Sequence, residues 1–431
     1  MDPRTRFLLA SAAGAAATAT ALSPVDRFGP GAGPAFVVGS PVAEMPLHVA
    51  GAQAGLALLL SRSGGWRGLR GLAGLGLTAA SLAGLWRLQR DAEASEQVLE
   101  DALAAALGAD YRDRIAEPFT PQPAAALTRR QVLVPDLRTR RRYVVAAGRD
   151  VSYGEAGRRN LLDVWRRPDL APDAGAPVLL QVHGGAWVTG QKEGQAHPLM
   201  AHLASRGWVC VTINYRLSPR STWPDHIVDV KRAIAWVRAH AAELGGDPGF
   251  LAITGGSAGG HLSALAALTP GDAEFQPGFE DADTSVVAAV PFYGVYDFTD
   301  RHGVANRNLD KLLAENVFKT TLADDRVHWE AASPMSRIGP DAPPFFVIHG
   351  TNDTIVPVEQ AREFAALLRA ASRHPVAYAE LPRAQHAFDV LPSVRTRHAV
   401  HAVERFLAVV RSERGGPTPA EAVADAGAGT A

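Results

Sequence analysis

A hydroxyl, a carboxylate and an imidazole stand in one chain order here, at Ser257, Asp353 and His386. A serine hydroxyl becomes a nucleophile when a base takes its proton, and the base needs an acid to orient it. Ser257 lies in Gly255-Gly256-Ser257-Ala258-Gly259, after the apolar run Phe250-Leu251-Ala252-Ile253-Thr254 and before the helical stretch Gly260–Leu268. Strand, G-x-S-x-G and helix form the context of a nucleophile elbow, where small neighbours let strand and helix pass closely around a strained serine. The helix dipole and its free amides then favour an anionic intermediate.

Each of these residues also has a plainer reading. A Gly-rich turn with a capping Ser is common, and an Asp in Gly350-Thr351-Asn352-Asp353 makes an ordinary Asx turn. Position separates the readings. Asp353 follows the apolar strand Phe345–His349, and His386 follows the strand Val376–Leu381, so three candidates sit past three strand ends in the order Ser, Asp, His. His349 precedes the acid and reads as structural. His261, one turn beyond Ser257, points into helix packing, and Asp389 is less well placed than Asp353. A fourth element follows the apolar strand Pro177–Val182, in His183-Gly184-Gly185-Ala186-Trp187. Paired glycines let backbone amides approach a substrate oxygen, and one such donor contributes about 3 kcal/mol to a transition state. Gly184, Gly185 and Ala258 are the expected oxyanion donors. Trp187 and Tyr293 are candidate pocket-lining residues, with core packing as the alternative.

The elements that must position these groups alternate. Val209–Tyr215 and Val286–Val290 add apolar strands. Helices are expected from Trp223 to about Leu244, from Pro357 to Arg373 and from Val394 to Val410. This alternation implies an α/β fold with a doubly wound, mostly parallel sheet. The insert Asp297–Pro334, with a helical piece at Leu309–Phe318, is expected to form a lid or pocket wall.

His183-Gly184-Gly185-Ala186-Trp187, Asn214-Tyr215-Arg216-Leu217-Ser218-Pro219, Gly255–Leu262 and Gly350-Thr351-Asn352-Asp353 together resemble the α/β-hydrolase superfamily over roughly residues 148 to 412. Within it the chain is similar to the carboxylesterase branch, which includes hormone-sensitive-lipase-like esterases, kynurenine formamidases and membrane-associated mycobacterial-type esterases. The resemblance implies an α/β-hydrolase serine esterase needing no cofactor. Its H-G-G-x-W form is closer to the formamidase-like members, so amide hydrolysis stands as an alternative. A non-catalytic membrane binding module on a hydrolase scaffold is a third reading, opposed by the complete set of three residues.

Residues 1–90 are a different object, with apolar runs at Phe7–Leu22, Leu47–Leu60 (opening from about Val42) and Leu69–Trp86. The third is near the length of about 20 residues that crosses a bilayer. Its small residues, Gly71, Gly76, Ala80 and Gly84, suit close helix packing in lipid. Two or three membrane helices are therefore expected, with a buried helical domain as the alternative. Arg62, Arg67 and Arg70 between the second and third runs favour a cytoplasmic loop, which puts the catalytic region outside; Arg87 and Arg90 argue the other way. Residues 91–130 are expected to connect anchor to enzyme. Asp91–Leu107 is an amphipathic helix carrying Val98, Leu99, Leu103 and Leu107 on one face, and the catalytic domain spans 131–414. Residues 415–431 read as a disordered tail. Arg129, Arg130, Arg138, Arg140, Arg141 and Arg142 form a basic run suited to a guarded strand edge or to lipid headgroups. The single cysteine, Cys210, excludes an internal disulfide, and a formal net charge of −1 gives no basic excess for nucleic acid. No Cys or His spacing marks a metal site. The expected partners are an ester substrate, small-molecule or lipid, and membrane lipid.

Overall fold

The computed structural model describes residues 1–24, 28–116, 142–301, 303 and 307–414. The basic run from Arg129 to Arg141 and the tail from Gly415 lie outside them.

Eight strands form one sheet: β1 (Val151–Ser152), β2 (Leu161–Trp165), β3 (Ala176–Val182), β4 (Val209–Ile213), β5 (Gly246–Gly256), β6 (Ala289–Phe292), β7 (Phe345–Gly350) and β8 (Val376–Leu381). Their order is β1-β2-β4-β3-β5-β6-β7-β8, with β1 and β2 antiparallel at one edge and the rest parallel. Alternate residues of a strand point to opposite faces, and here both faces are covered. Val178, Leu180 and Val182 of β3 enter one apolar core, while Leu179 enters the other with Cys210, Phe346 and Ile348. This is the doubly wound, mostly parallel sheet expected. β6 starts three residues later than the apolar run that marks it, although Val287 N still bonds Leu251 O of β5 at 2.9 Å.

Helices α1 (Pro3–Leu22), α2 (Ala32–Glu44), α3 (Pro46–Arg62) and α4 (Gly68–Leu107) precede the sheet. The apolar run that opens near Val42 is broken, because α2 and α3 meet at a 94° bend. Pro46 starts α3, a position where its missing N–H leaves no helical bond unmade. Helix α4 is continuous for 40 residues, about 60 Å at the usual rise. Asp91–Leu107 is thus its second half and not a separate element. Leu99, Leu103 and Leu107 from this half join the core on one sheet face. At the middle of the helix the Asp91 carboxylate takes Arg383 Nη1 at 2.7 Å.

The first half of α4 behaves differently. Leu69 is 87% exposed, and Leu72, Leu75 and Trp86 are exposed too. Its contact with α1 runs through Gly74, where a Cβ would strike Phe7, and Gly84, where it would strike Thr18. Gly76 faces open space, so the small-residue stripe is offset from the spacing expected. Polar groups fill the centre of this bundle: Ser81 Oγ lies 2.8 Å from Thr18 Oγ1 and 2.6 Å from Gln53 Oε1. By length and composition, α4 is long and apolar enough to cross a membrane, and α2 with α3 pass the same test together.

The remaining helices that frame the site are α5 (His197–Ser205), α6 (Asp225–His240), α7 (Ala258–Leu268), α8 (Val358–Ala371) and α9 (Val394–Glu413). Short helical pieces at Arg307–Leu312, Leu313–Phe318 and Arg326–Ala332 occupy the insert.

Candidate active site

Ser257 stands in the single-residue turn between β5 and α7, with φ 57° and ψ −120°. A non-glycine residue there is strained, and such strain persists only where its surroundings impose it. They do so here. The Ser257 amide donates to Phe292 O at 3.0 Å and its carbonyl accepts His261 N at 2.9 Å. Gly259 lets the first turn of α7 pass against β3, since a Cβ there would collide with Val182 O.

Asp353 follows β7 and is buried. Its two oxygens divide the work. Oδ1 accepts the amides of Ile355 and Val356, both at 2.8 Å, which is the Asx-type turn its neighbours suggest. Oδ2 accepts His386 Nδ1 at 2.7 Å. The turn thus uses one oxygen of Asp353 and the contact with His386 the other. Burial would raise this carboxyl, but the imidazoles of His386 and His349 outweigh it and hold the group well below the ordinary carboxylate range. His349, read as structural, proves to be a second imidazole on the acid: its Nε2 lies 3.1 Å from Asp353 Oδ2 and 3.1 Å from Val356 O. Its place four residues before Asp353, at the end of β7, was the available signal.

His386 follows β8 and is buried against Tyr293, with ring centroids 4.7 Å apart. With Nδ1 bonded to a carboxylate, Nδ1 carries the proton and Nε2 is the basic nitrogen. Gln385 Oε1 accepts both His386 N at 2.8 Å and Thr354 N at 2.9 Å, locking the loops of His386 and Asp353 together. Among the described residues no hydrogen bond joins Ser257 Oγ to His386. Such bonds often tighten only around substrate.

Tyr293 connects the two parts. A Cβ on Gly256 would stand 2.6 Å from its hydroxyl oxygen, and its ring packs on His386. The hydroxyl donates to the half-buried Asp389. Burial pushes the Asp389 carboxyl up, so this second acid near His386 is committed to Tyr293.

Gly184 closes on Ser257, where a Cβ would come within 3.1 Å of the serine Cβ. Its amide, however, donates to Gln195 Oε1 at 2.7 Å, so Gly184 as it stands is not a free donor. The amides of Gly185, Ala186 and Ala258 meet no acceptor among the described residues. Gly185 has φ 128° and is followed by Ala186 and Trp187, both with positive φ, so the loop after β3 turns sharply here. Trp187 is buried, not pocket-lining. Its indole donates to His261 Nδ1 at 3.2 Å and packs edge-on to Phe298. His261 passes its own proton to Ala332 O at 2.8 Å, and burial pushes its pKa down to about 4, so it stays neutral behind the elbow.

Two clusters have metal-ligand chemistry, but each already holds a protein cation. Asp150, Asp163 and Glu193 surround Lys192 Nζ at 2.7, 2.7 and 2.6 Å. Glu404, beside His202 and His401, bonds Arg206 Nε at 2.8 Å.

A mostly parallel sheet covered on both faces, with a strained serine at one strand end and a His–Asp pair past two others, defines an α/β hydrolase. The BD-FAE family matches residues 162–368. The probable carboxylic ester hydrolase LipM of Mycobacterium tuberculosis is 50% identical over 97% of this chain and 96% of its own length. Esterase LipQ of the same organism is 50% identical over 77% of each chain. The butyrate-bound esterase Est2 of Thermogutta terrifontis superposes with a TM-score of 0.52 at 28% identity, covering 60% of this chain and 93% of its own. The chain belongs to the α/β-hydrolase family of carboxylic ester hydrolases that LipM and LipQ represent.

Proposed function

We propose that the chain is a serine carboxylesterase that works through Ser257, His386 and Asp353. His386 Nε2 takes the Ser257 proton as Oγ attacks the ester carbonyl. Free amides at Gly185 and Ala258 receive the oxyanion, with Ala186 next to them and Gly184 shaping the floor. His386 then hands the proton to the departing alkoxide. Water, activated in the same way, releases the acyl group from Ser257. Asp353 remains ionised throughout, which fixes the imidazole tautomer and stabilises the imidazolium as it forms.

The observation that carries this reading is the arrangement around Tyr293, which touches both the elbow glycine beside Ser257 and the imidazole held by Asp353. Trp187, the residue that suggested a formamide substrate, is occupied in packing against His261. Ser257→Ala should lower kcat for p-nitrophenyl esters on the order of 10⁶-fold and remove fluorophosphonate labelling. Retained turnover in that variant would sink the assignment.

The outward-facing leucines of α3 and of the first half of α4 support a membrane-held enzyme with residues 1–90 as the anchor, and Arg62, Arg67 and Arg70 favour the catalytic region outside the cytoplasm. Proteolysis of intact cells checks the side. Cleavage of the catalytic region is expected, and full protection until lysis would reverse the orientation.

A further inference from the structure

Helix α2 is fastened at both ends to the loops that carry Asp353 and His386. At its start, Thr354 Oγ1 donates to Ala32 O at 3.0 Å, and Asn352 Nδ2 donates to Ala21 O and Leu22 O of α1 at 2.9 and 3.1 Å. Thr354 and Asn352 are the immediate neighbours of Asp353. At its end, the buried Glu44 accepts Ser393 Oγ at 2.7 Å and pairs with the buried Arg395, whose Nη2 donates to Pro382 O at 3.0 Å in the loop that leads to His386. Buried polar groups specify position far more narrowly than apolar contact does. Between the two tethers, Phe36 and His386 form a T-shaped ring pair, with centroids 6.0 Å apart and planes at 74°. Phe36 is half-buried, and next to it Val37 and Val38 are 68% and 43% exposed.

We propose that α2 is a wall of the ester site and that Phe36 determines specificity, by packing against the apolar group of an ester whose carbonyl lies between Ser257 and His386. This rests on the catalytic reading of those two residues. Two things fit the wall to an extended apolar chain rather than to a short acyl group. Phe36 puts an apolar ring at the imidazole itself. Beyond Met45, α3 carries the same character in Leu47, Leu56, Leu58 and Leu59, all exposed. Each methylene packed on such a surface gains roughly fourfold in kcat/KM. The substrate class is therefore a lipid-like ester, and an N-terminal segment that looks like an anchor alone contributes to selecting it.

The test uses the full-length protein in detergent micelles, with p-nitrophenyl esters from acetate to laurate. Phe36→Ala should lose about tenfold or more in kcat/KM on the long esters, mainly through KM, and less than about twofold on acetate. Phe36→Leu should recover most of the loss, whereas the double variant Val37→Ser, Val38→Ser, on other faces of α2, should leave the chain-length profile unchanged. Fluorophosphonate labelling of Ser257 should persist in all three. Intact labelling with an unchanged chain-length profile in Phe36→Ala overturns this proposal alone, as does an equal loss on every ester. Failure of the unsubstituted protein to label at Ser257 overturns the catalytic reading, and this proposal with it.

Discussion

The two halves of this molecule differ in where they put polar groups and large apolar ones. Around the sheet, Val178, Leu180, Ile213, Ile253 and Val347 are fully buried. Charged groups taken inside are given polar partners there, as Lys192 is by Asp163 and Lys231 by Gln276 and Thr284. In the helices before the sheet, the centre holds Thr18, Gln53 and Ser81 in mutual hydrogen bonds, while Leu56, Leu58, Leu59, Leu69 and Leu72 face outward. Apolar burial drives folding only where water is the alternative. Where lipid surrounds a bundle, small residues and interhelical hydrogen bonds hold the helices together. The contrast sets a sheet core closed by apolar packing against a helical bundle joined through buried polar groups, and α2 lies on the seam between them.

Substitutions on either side should therefore fail in different ways. The largest effect is expected at Asp353→Asn, which removes the charge that fixes the His386 tautomer; kcat should fall about 10⁴-fold with folding retained. A small loss would shift the orienting role to His349 or Gln385. On the seam, Glu44→Ala leaves Arg395 buried without its carboxylate and should cost about 3–5 kcal/mol in denaturant unfolding monitored in micelles. If stability is unchanged, the halves are less firmly joined than their contacts imply. Gln195→Leu frees the Gly184 amide and loosens the loop after β3; a displacement near 1 Å there lowers kcat by up to about 100-fold. A rise in kcat would instead make Gly184 a better donor than the bonded loop allows. The smallest effect is expected from Ser81→Ala, about 1 kcal/mol in lipid, since it removes two interhelical hydrogen bonds of about 0.6 kcal/mol each. A loss several times larger would show a bundle that meets water, and the contrast between the halves would break.

Much of the catalytic half is legible in the sequence because its elements obey short-range rules. Strands β7 and β8 announce themselves as apolar runs, and Ser257, Asp353 and His386 each follow one. What is not legible depends on side chains meeting across loops or across the fold. Nothing in His183-Gly184-Gly185 tells that Gln195 reaches back to the first glycine amide. An aromatic residue's type does not say whether it lines a pocket or props a helix, so Trp187 carries both readings in the sequence and is found behind the site. Helix α4 reads as two elements because its composition turns from apolar to acidic at Asp91. The backbone ignores that change, since Ala, Leu, Gln and Glu are all good helix formers. Contact between Phe36 and His386 joins opposite ends of the chain and has no local signature.

The unbroken length of α4 has a mechanical consequence. One end lies in the apolar bundle, the middle is clamped through Asp91 to Arg383, and the far end is sunk in the core beside the sheet. It contains no proline, and a bend would require opening its own ladder of backbone bonds. Such a strut fixes the position of Ser257 relative to the helices before the sheet, so whatever holds those helices also orients the catalytic face.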